Sequence, residues 1–184
     1  MERRELRKKL HLSGMDSRAA ELAKQRGLGF EITEFCWAPR LEQPDAMALV
    51  RRQIEGVRHL WLHAPFAELS PCSIDPLVRV TALHRFRQTI ETAQALGVTR
   101  LVVHGGFIPL VYFPEWFVEQ SVLFWRELLA DVPEGMVLAV AHVMEPGPVM
   151  LVQIAGQTWP VTPAMRTAIS SNLPRLPGGL ASSA

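Results

Sequence analysis

The chain has 184 residues, nearly half of them apolar and a fifth charged, which is the composition of one globular domain with a substantial core. A formal charge of +1 argues against nucleic acid and against an anionic membrane surface as partners, and no apolar run approaches the length of a bilayer span. The two cysteines, Cys36 and Cys72, lie far apart without metal spacing, so neither a disulfide framework nor a thiolate zinc site is indicated, and a cytoplasmic location is expected.

The basic opening MERRELRKKL carries acidic residues and no apolar signal region follows it; it reads as a solvated leader. LHLSG (10–14) is a short first strand, and MDSRAAELAKQRG (15–27) a helix that Asp16 would cap and Gly27 would end. LGFEITEF (28–35) alternates like a strand. In DAMALVRRQIEG (45–56), Met47, Val50 and Ile54 share one helical face, and HLWLHAPF (59–66) is extended because Pro65 stops helical continuation.

The third helix carries the clearest local signals. Asp75 offers a capping carboxylate, Pro76 fits the first turn, and Leu83, Phe86, Ile90 and Ala93 recur at helical spacing up to Gly97. RLVVHGGF returns to strand. PEWFVEQSVLFWRELLADVP (114–133) is a helix with Phe117, Gln120–Ser121, Phe124 and Leu128 on its inner stripe. MVLAVAHV (136–143) is a fifth strand, and EPGPVMLVQIAG (145–156) opens a fifth helix.

Strands alternating with long helices imply a parallel sheet, and the apolar runs LVV and MVLAVA predict strands buried on both faces. Five β–α units suit either an open doubly wound sheet or part of an eight-unit barrel. No glycine-rich phosphate fingerprint follows the first strand, so dinucleotide binding is unsupported. After residue 156 the alternation fails. The expectation is an incomplete α/β domain over 10–156 and an irregular, flexible tail over 157–184, too short for three further units.

In a parallel α/β sheet the C-terminal strand ends converge on one face, where loops collect function. Glu34 lies near the end of strand two, His63 ends strand three, His104 ends strand four, and His142 with Glu145 follows strand five. Imidazoles and carboxylates together suit a divalent cation or acid–base work near neutral pH. A single strand-end histidine is more often a hydrogen-bonded side chain than a ligand, but recurrence at three successive ends favours a site. Gly105 and Gly106 would admit a ligand close to the backbone. His11, His59 and His84 lack this placement. Most of the aromatics over 112–125 read as core; Tyr112 and Phe113, in the loop after strand four, are the exceptions that could stack on a sugar. Arg79, Arg85 and Arg87 read as a solvated helix face.

LHAPF (62–66), ETAQALGVTRLVVHGG (91–106) and VLAVAHVMEPGP (137–148) together resemble the xylose-isomerase-like TIM-barrel superfamily over roughly residues 10–155. That group contains sugar and sugar-phosphate isomerases and epimerases and the endonuclease-four-type repair enzymes. The resemblance implies a partial (β/α)8 barrel, with His63 and His104 facing the active site as substrate-facing groups or, in the repair branch, metal ligands. It also implies a Leu-Glu-Asn pattern at the end of strand five, whose glutamate binds the ion and moves a proton. Alignment puts that glutamate at Ala141 and the asparagine at His142, so the carboxylate is missing and Glu145 is the candidate replacement. The later ligands, an Asp-x-Gly-His element and a late glutamate, have no counterpart in 157–184. A shifted reading frame or an end beyond strand five would explain this; divergence is the alternative.

The resemblance thus implies a divalent-metal-dependent sugar or sugar-phosphate isomerase or epimerase, moving a proton beside a carbonyl and impaired by the lost carboxylate and strands. The assignment is Glu34, His63, His104 and Tyr112 to substrate, His104 and His142 to manganese, magnesium or zinc, and Glu145 to proton transfer. Two alternatives stand beside it: a non-catalytic carbohydrate-binding or subunit-association remnant, whose open sheet edges a second copy would cover, and a metal-dependent phosphodiesterase acting on abasic DNA.

Overall fold

The computed structural model describes residues 10–106, 112–141 and 148–158. His142 and Glu145 lie outside these residues, as does the predicted tail from 159 onward. In chain order the elements are β1 (His11–Ser13), α1 (Ala19–Arg26), β2 (Gly29–Ile32), α2 (Pro44–Ile54), β3 (Leu60–His63), α3 (Pro76–Leu96), β4 (Arg100–His104), α4 (Pro114–Leu129), β5 (Val137–Ala141) and α5 (Pro148–Thr158).

All four strand pairings are parallel, and the sheet order is β1-β2-β3-β4-β5. A doubly wound sheet reverses its strand order at a switch point; here each strand lies beside the next in sequence. This decides between the two architectures that alternation alone permits. The described residues form consecutive β–α units of a TIM barrel.

Local chemistry fixes the best-defined helix. The Leu77 N–H donates to Asp75 Oδ1 at 2.8 Å, Pro76 occupies the first turn, and Gly97 closes α3 in the left-handed region at φ 70°. The first helix starts differently from expectation. Asp16 accepts from the Arg18 N–H at 2.8 Å and pairs with the Arg18 guanidinium at 3.0 Å, so it organises the turn before α1 and leaves the cap to Arg18. β2 also stops earlier than its alternation predicts, and Glu34–Cys36 forms a 3-10 turn beyond it.

The buried residues of the sheet lie on its helix-side face. Phe30, Ile32, Leu62, Leu101, Val103 and Leu138 join Val50, Phe86, Ile90, Phe117, Phe124, Trp125 and Leu128 from the helices in a single apolar cluster. The opposite, inner face carries Glu31, Trp61, His63, Val102, His104, Ala139 and Ala141, all only part-buried. The expected burial on both faces is therefore found on one face only, among the described residues. Arg79 and Arg87 are not simply solvated: they reach Glu127 at 2.8 Å and Asp131 at 2.7 Å, linking α3 to α4, and Arg85 pairs with Glu42.

Candidate functional site at the ends of β3 and β4

Parallel register sets up the site. His63 is level with Val102, so His104 lies two residues further along β4 on the same inner face. Ala64 extends the ladder by donating its N–H to the Val102 carbonyl at 2.8 Å. The two imidazoles meet, with Nε2 to Nε2 at 3.1 Å and ring centroids 4.8 Å apart. His63 Nδ1–H donates to the Ala64 carbonyl oxygen at 2.8 Å, which leaves His63 Nε2 as the acceptor for the Nε2–H of His104. Burial first, and the neighbouring His63 second, lower the His104 pKa from its ordinary value of 6.5, so His104 is held neutral.

Phe66 completes this corner, and spacing gave no sign of it. Its ring stacks on His104 at 4.6 Å between centroids and meets His63 edge-on at 5.4 Å. The HAPF run carries the signal in retrospect: Pro65 turns the chain after β3 and sends the next side chain back over the strand end.

The other sequence candidates are placed differently. Glu34 is engaged by Arg40, whose Nε donates to it at 2.6 Å, and Arg40 also holds Asp45 at 2.9 Å. That carboxylate thus joins a loop network after β2. The Tyr112 hydroxyl accepts from the Ile74 N–H at 3.2 Å, and its ring packs edge-on against Trp116, tying the loop before α4 to the loop after β3. Phe113 is 75% exposed. Gly106 has φ 93°, and a Cβ there would come within 2.8 Å of the Pro71 ring; the chain's own β3–α3 loop fills the space proposed for a ligand. Ala141, where the resemblance requires a glutamate, is the registered partner of His104.

A nitrogen-binding ion fits the two imidazoles. Two nitrogens on tetrahedral zinc, at about 2.0–2.1 Å from the metal, lie about 3.3 Å apart, close to the spacing found here. Magnesium prefers oxygen ligands and matches this pair less well. Among the described residues no group of three or more metal-ligating side chains occurs. Cys36 does not supply one: burial, followed by the charge of Glu31, pushes its thiol up to about 12, and a protonated thiol is a poor ligand. Among the described residues no helix is long and apolar enough to cross a membrane.

No family model and no curated protein matches the chain. Solved structures do. A D-tagatose 3-epimerase-like protein is similar with a TM-score of 0.64 at 20% identity, over 79% of this chain and 59% of its own. The TTHB071 protein from Thermus thermophilus, studied with a ZnCl2 soak, is similar with a TM-score of 0.60 at 28% identity, over 80% of this chain and 61% of its own. A xylose isomerase domain protein from Planctomyces limnophilus gives 0.59 at 13% identity, over 81% and 58%. The chain therefore spans about three-fifths of the length of these structures. With strand order and similarity in agreement, the chain has the xylose-isomerase-like TIM-barrel fold, of which the described residues form five consecutive β–α units.

Proposed function

We propose that the chain is a carbohydrate-directed protein of the isomerase or epimerase type. His63 and His104 would hold a divalent cation, zinc or manganese in preference to magnesium, beside the oxygens of a small sugar or sugar phosphate. The observation that carries this reading is the 3.1 Å approach of two imidazoles at the C-terminal ends of adjacent strands. The similarity to a D-tagatose 3-epimerase-like protein, and to a D-psicose 3-epimerase studied in the presence of D-fructose, supports the sugar class.

A bound cation would polarise a carbonyl and stabilise charge developing on its oxygen. The chain's own residues do the rest. His63 is oriented by the Ala64 carbonyl, and His104, kept neutral by burial, would move its one ring proton from Nε2 to Nδ1 to free Nε2 for the ion. Phe66 presents an apolar ring that keeps water from one side of the pair. Proton transfer beside the carbonyl needs a general base; where the resemblance implies a glutamate for it, Ala141 offers only a methyl group. Glu145 is the candidate for that role and His142 for a further ligand; both follow β5, whose last residue is registered with His104.

Calorimetric titration of the whole chain with zinc, manganese and magnesium tests the reading. The expected result is binding of zinc and manganese that His104→Ala abolishes, with a ketose turned over slowly. Folded protein that takes up none of the ions would overturn the metal site. The missing carboxylate at Ala141 favours a second reading, a binding or subunit-association protein without chemistry. Sugar binding without turnover, and a dimer by light scattering covering the outer edges of β1 and β5, would support it.

A further inference from the structure

The end of the sheet opposite the histidines also has a constructed feature. A cleft of about 130 Å³ opens where β3 and β4 begin, lined by Arg58, His59, Thr99 and Arg100 with Gly97 and Val98. His104 lies at the far end of β4 from Arg100, about 13 Å along the strand, so the cleft is distinct from the imidazole corner. Its volume is well below the ~300 Å³ at which pockets for larger organic ligands begin, which limits the occupant to a compact group.

Its charge is the unusual property. On the helical surface, arginines meet carboxylates: Arg79 with Glu127, Arg85 with Glu42, Arg87 with Asp131. Among the described residues no carboxylate pairs with Arg58 or Arg100. The ordinary explanation would be that they serve the negative end of α3, which points into this region. The hydrogen bonds argue otherwise. Three carbonyls of the last turn of α3 already have donors that are not these arginines, Ala93 from the Val98 N–H at 2.8 Å, Gln94 from the Gly97 N–H at 3.0 Å, and Ala95 from the Arg51 guanidinium at 2.7 Å. The guanidinium of Arg100 also lies over the Trp61 ring, 5.9 Å from its centroid, which orders it on the inner side of the strand.

We propose that this cleft is a binding site for a small oxyanion, an inorganic phosphate or the phosphate group of a phosphomonoester. Two guanidinium forks, an imidazole and a threonine hydroxyl are the donors that tetrahedral oxyanions select. In intact barrels chemistry sits at the other face, so an anion bound here would stabilise or regulate without entering the reaction. The inference does not depend on the sugar reading of the histidine corner.

The test is titration calorimetry of the full chain with inorganic phosphate, against sodium chloride of equal ionic strength. Phosphate should bind, Arg58→Ala/Arg100→Ala should weaken it at least ~10-fold, and His63→Ala/His104→Ala should leave it unchanged. A phosphomonoester binding more tightly than phosphate through the same arginines would identify the ester as the preferred form. No phosphate binding by folded protein, or binding that survives loss of both arginines, would overturn the site. If the arginine variant does not fold, amide shifts of the unaltered chain decide: phosphate must move His59, Thr99 and Arg100, and movement confined to His63 and His104 overturns the proposal.

Discussion

The two faces of the sheet differ in what they are made to do. Toward the helices, Phe30, Ile32, Leu62, Leu101 and Val103 are essentially without solvent contact and pack into one apolar cluster. On the inner face the intervening residues, among them Glu31, Trp61, His63 and His104, are half-buried and mostly capable of hydrogen bonding or titration. The same backbone therefore carries both sets, alternating residue by residue. What the contrast teaches is that the side chains that build the apolar core and those that would form the proposed site are different residues of the same strands, so the two roles can be tested apart.

The sharpest way to break that contrast is a truncation in the outer layer. Phe124 is fully buried and packs edge-on against Trp125 and Phe86. Phe124→Ala should cost about 3–5 kcal/mol, from lost burial and the cavity left behind. His63→Ala removes two hydrogen bonds, to the Ala64 carbonyl and from His104, at a part-buried position and should cost about 1–2 kcal/mol. Urea unfolding of the two variants checks this, and equal losses would mean that the inner face is as structural as the outer.

A smaller effect, of opposite sign, is expected on the inner face. Ala141→Glu restores a carboxylate beside His104, where the register places it on the same face. Zinc or manganese affinity should rise at least ~10-fold, about 1.4 kcal/mol, as a third ligand joins two imidazoles. Calorimetry on this variant and on the unaltered chain measures it. An unchanged affinity would show that the residue at 141 does not reach an ion held by His63 and His104.

The outer layer was far more legible in the sequence than the site. Asp75, Pro76 and Gly97 bracket α3 through contacts a few residues long, so the sequence alone reveals them. The strand ends at His63 and His104 were legible for a similar reason: an apolar run stops at a polar residue. Local patterns say nothing of which strands are neighbours, so alternation alone left barrel and doubly wound sheet open; the family resemblance implied the barrel, and the order β1-β2-β3-β4-β5 bears it out. The same blindness hid the ring of Phe66 on His104, a contact made only because β3 and β4 lie side by side. It also hid the fate of Glu34, since its partner Arg40 lies across a turn at a spacing that neither helix nor strand periodicity flags.

The subtlest expected effect concerns protons. Burial and then His63 lower the His104 pKa below its ordinary 6.5, so the unfolded chain binds a proton at this position more readily than the folded one. The stability that His104 contributes as a neutral group is fully present above about pH 6.5, the unfolded value, and declines as pH falls through the lower folded value. Between those two points stability must rise with pH. His104→Gln keeps a polar side chain but cannot titrate, so its unfolding midpoint in urea should change less steeply over this acidic interval than that of the unaltered chain. Phe66→Ala should act in the same direction through exposure alone: with its stacked ring gone, water reaches the imidazole, the His104 pKa moves back toward 6.5, and the slope flattens while His104 itself is intact. Carbon-bound proton shifts of the His104 ring, followed by NMR against pH, separate the two variants. A titration midpoint that stays put in Phe66→Ala would mean that the strands and His63, not the aromatic cover, keep His104 neutral.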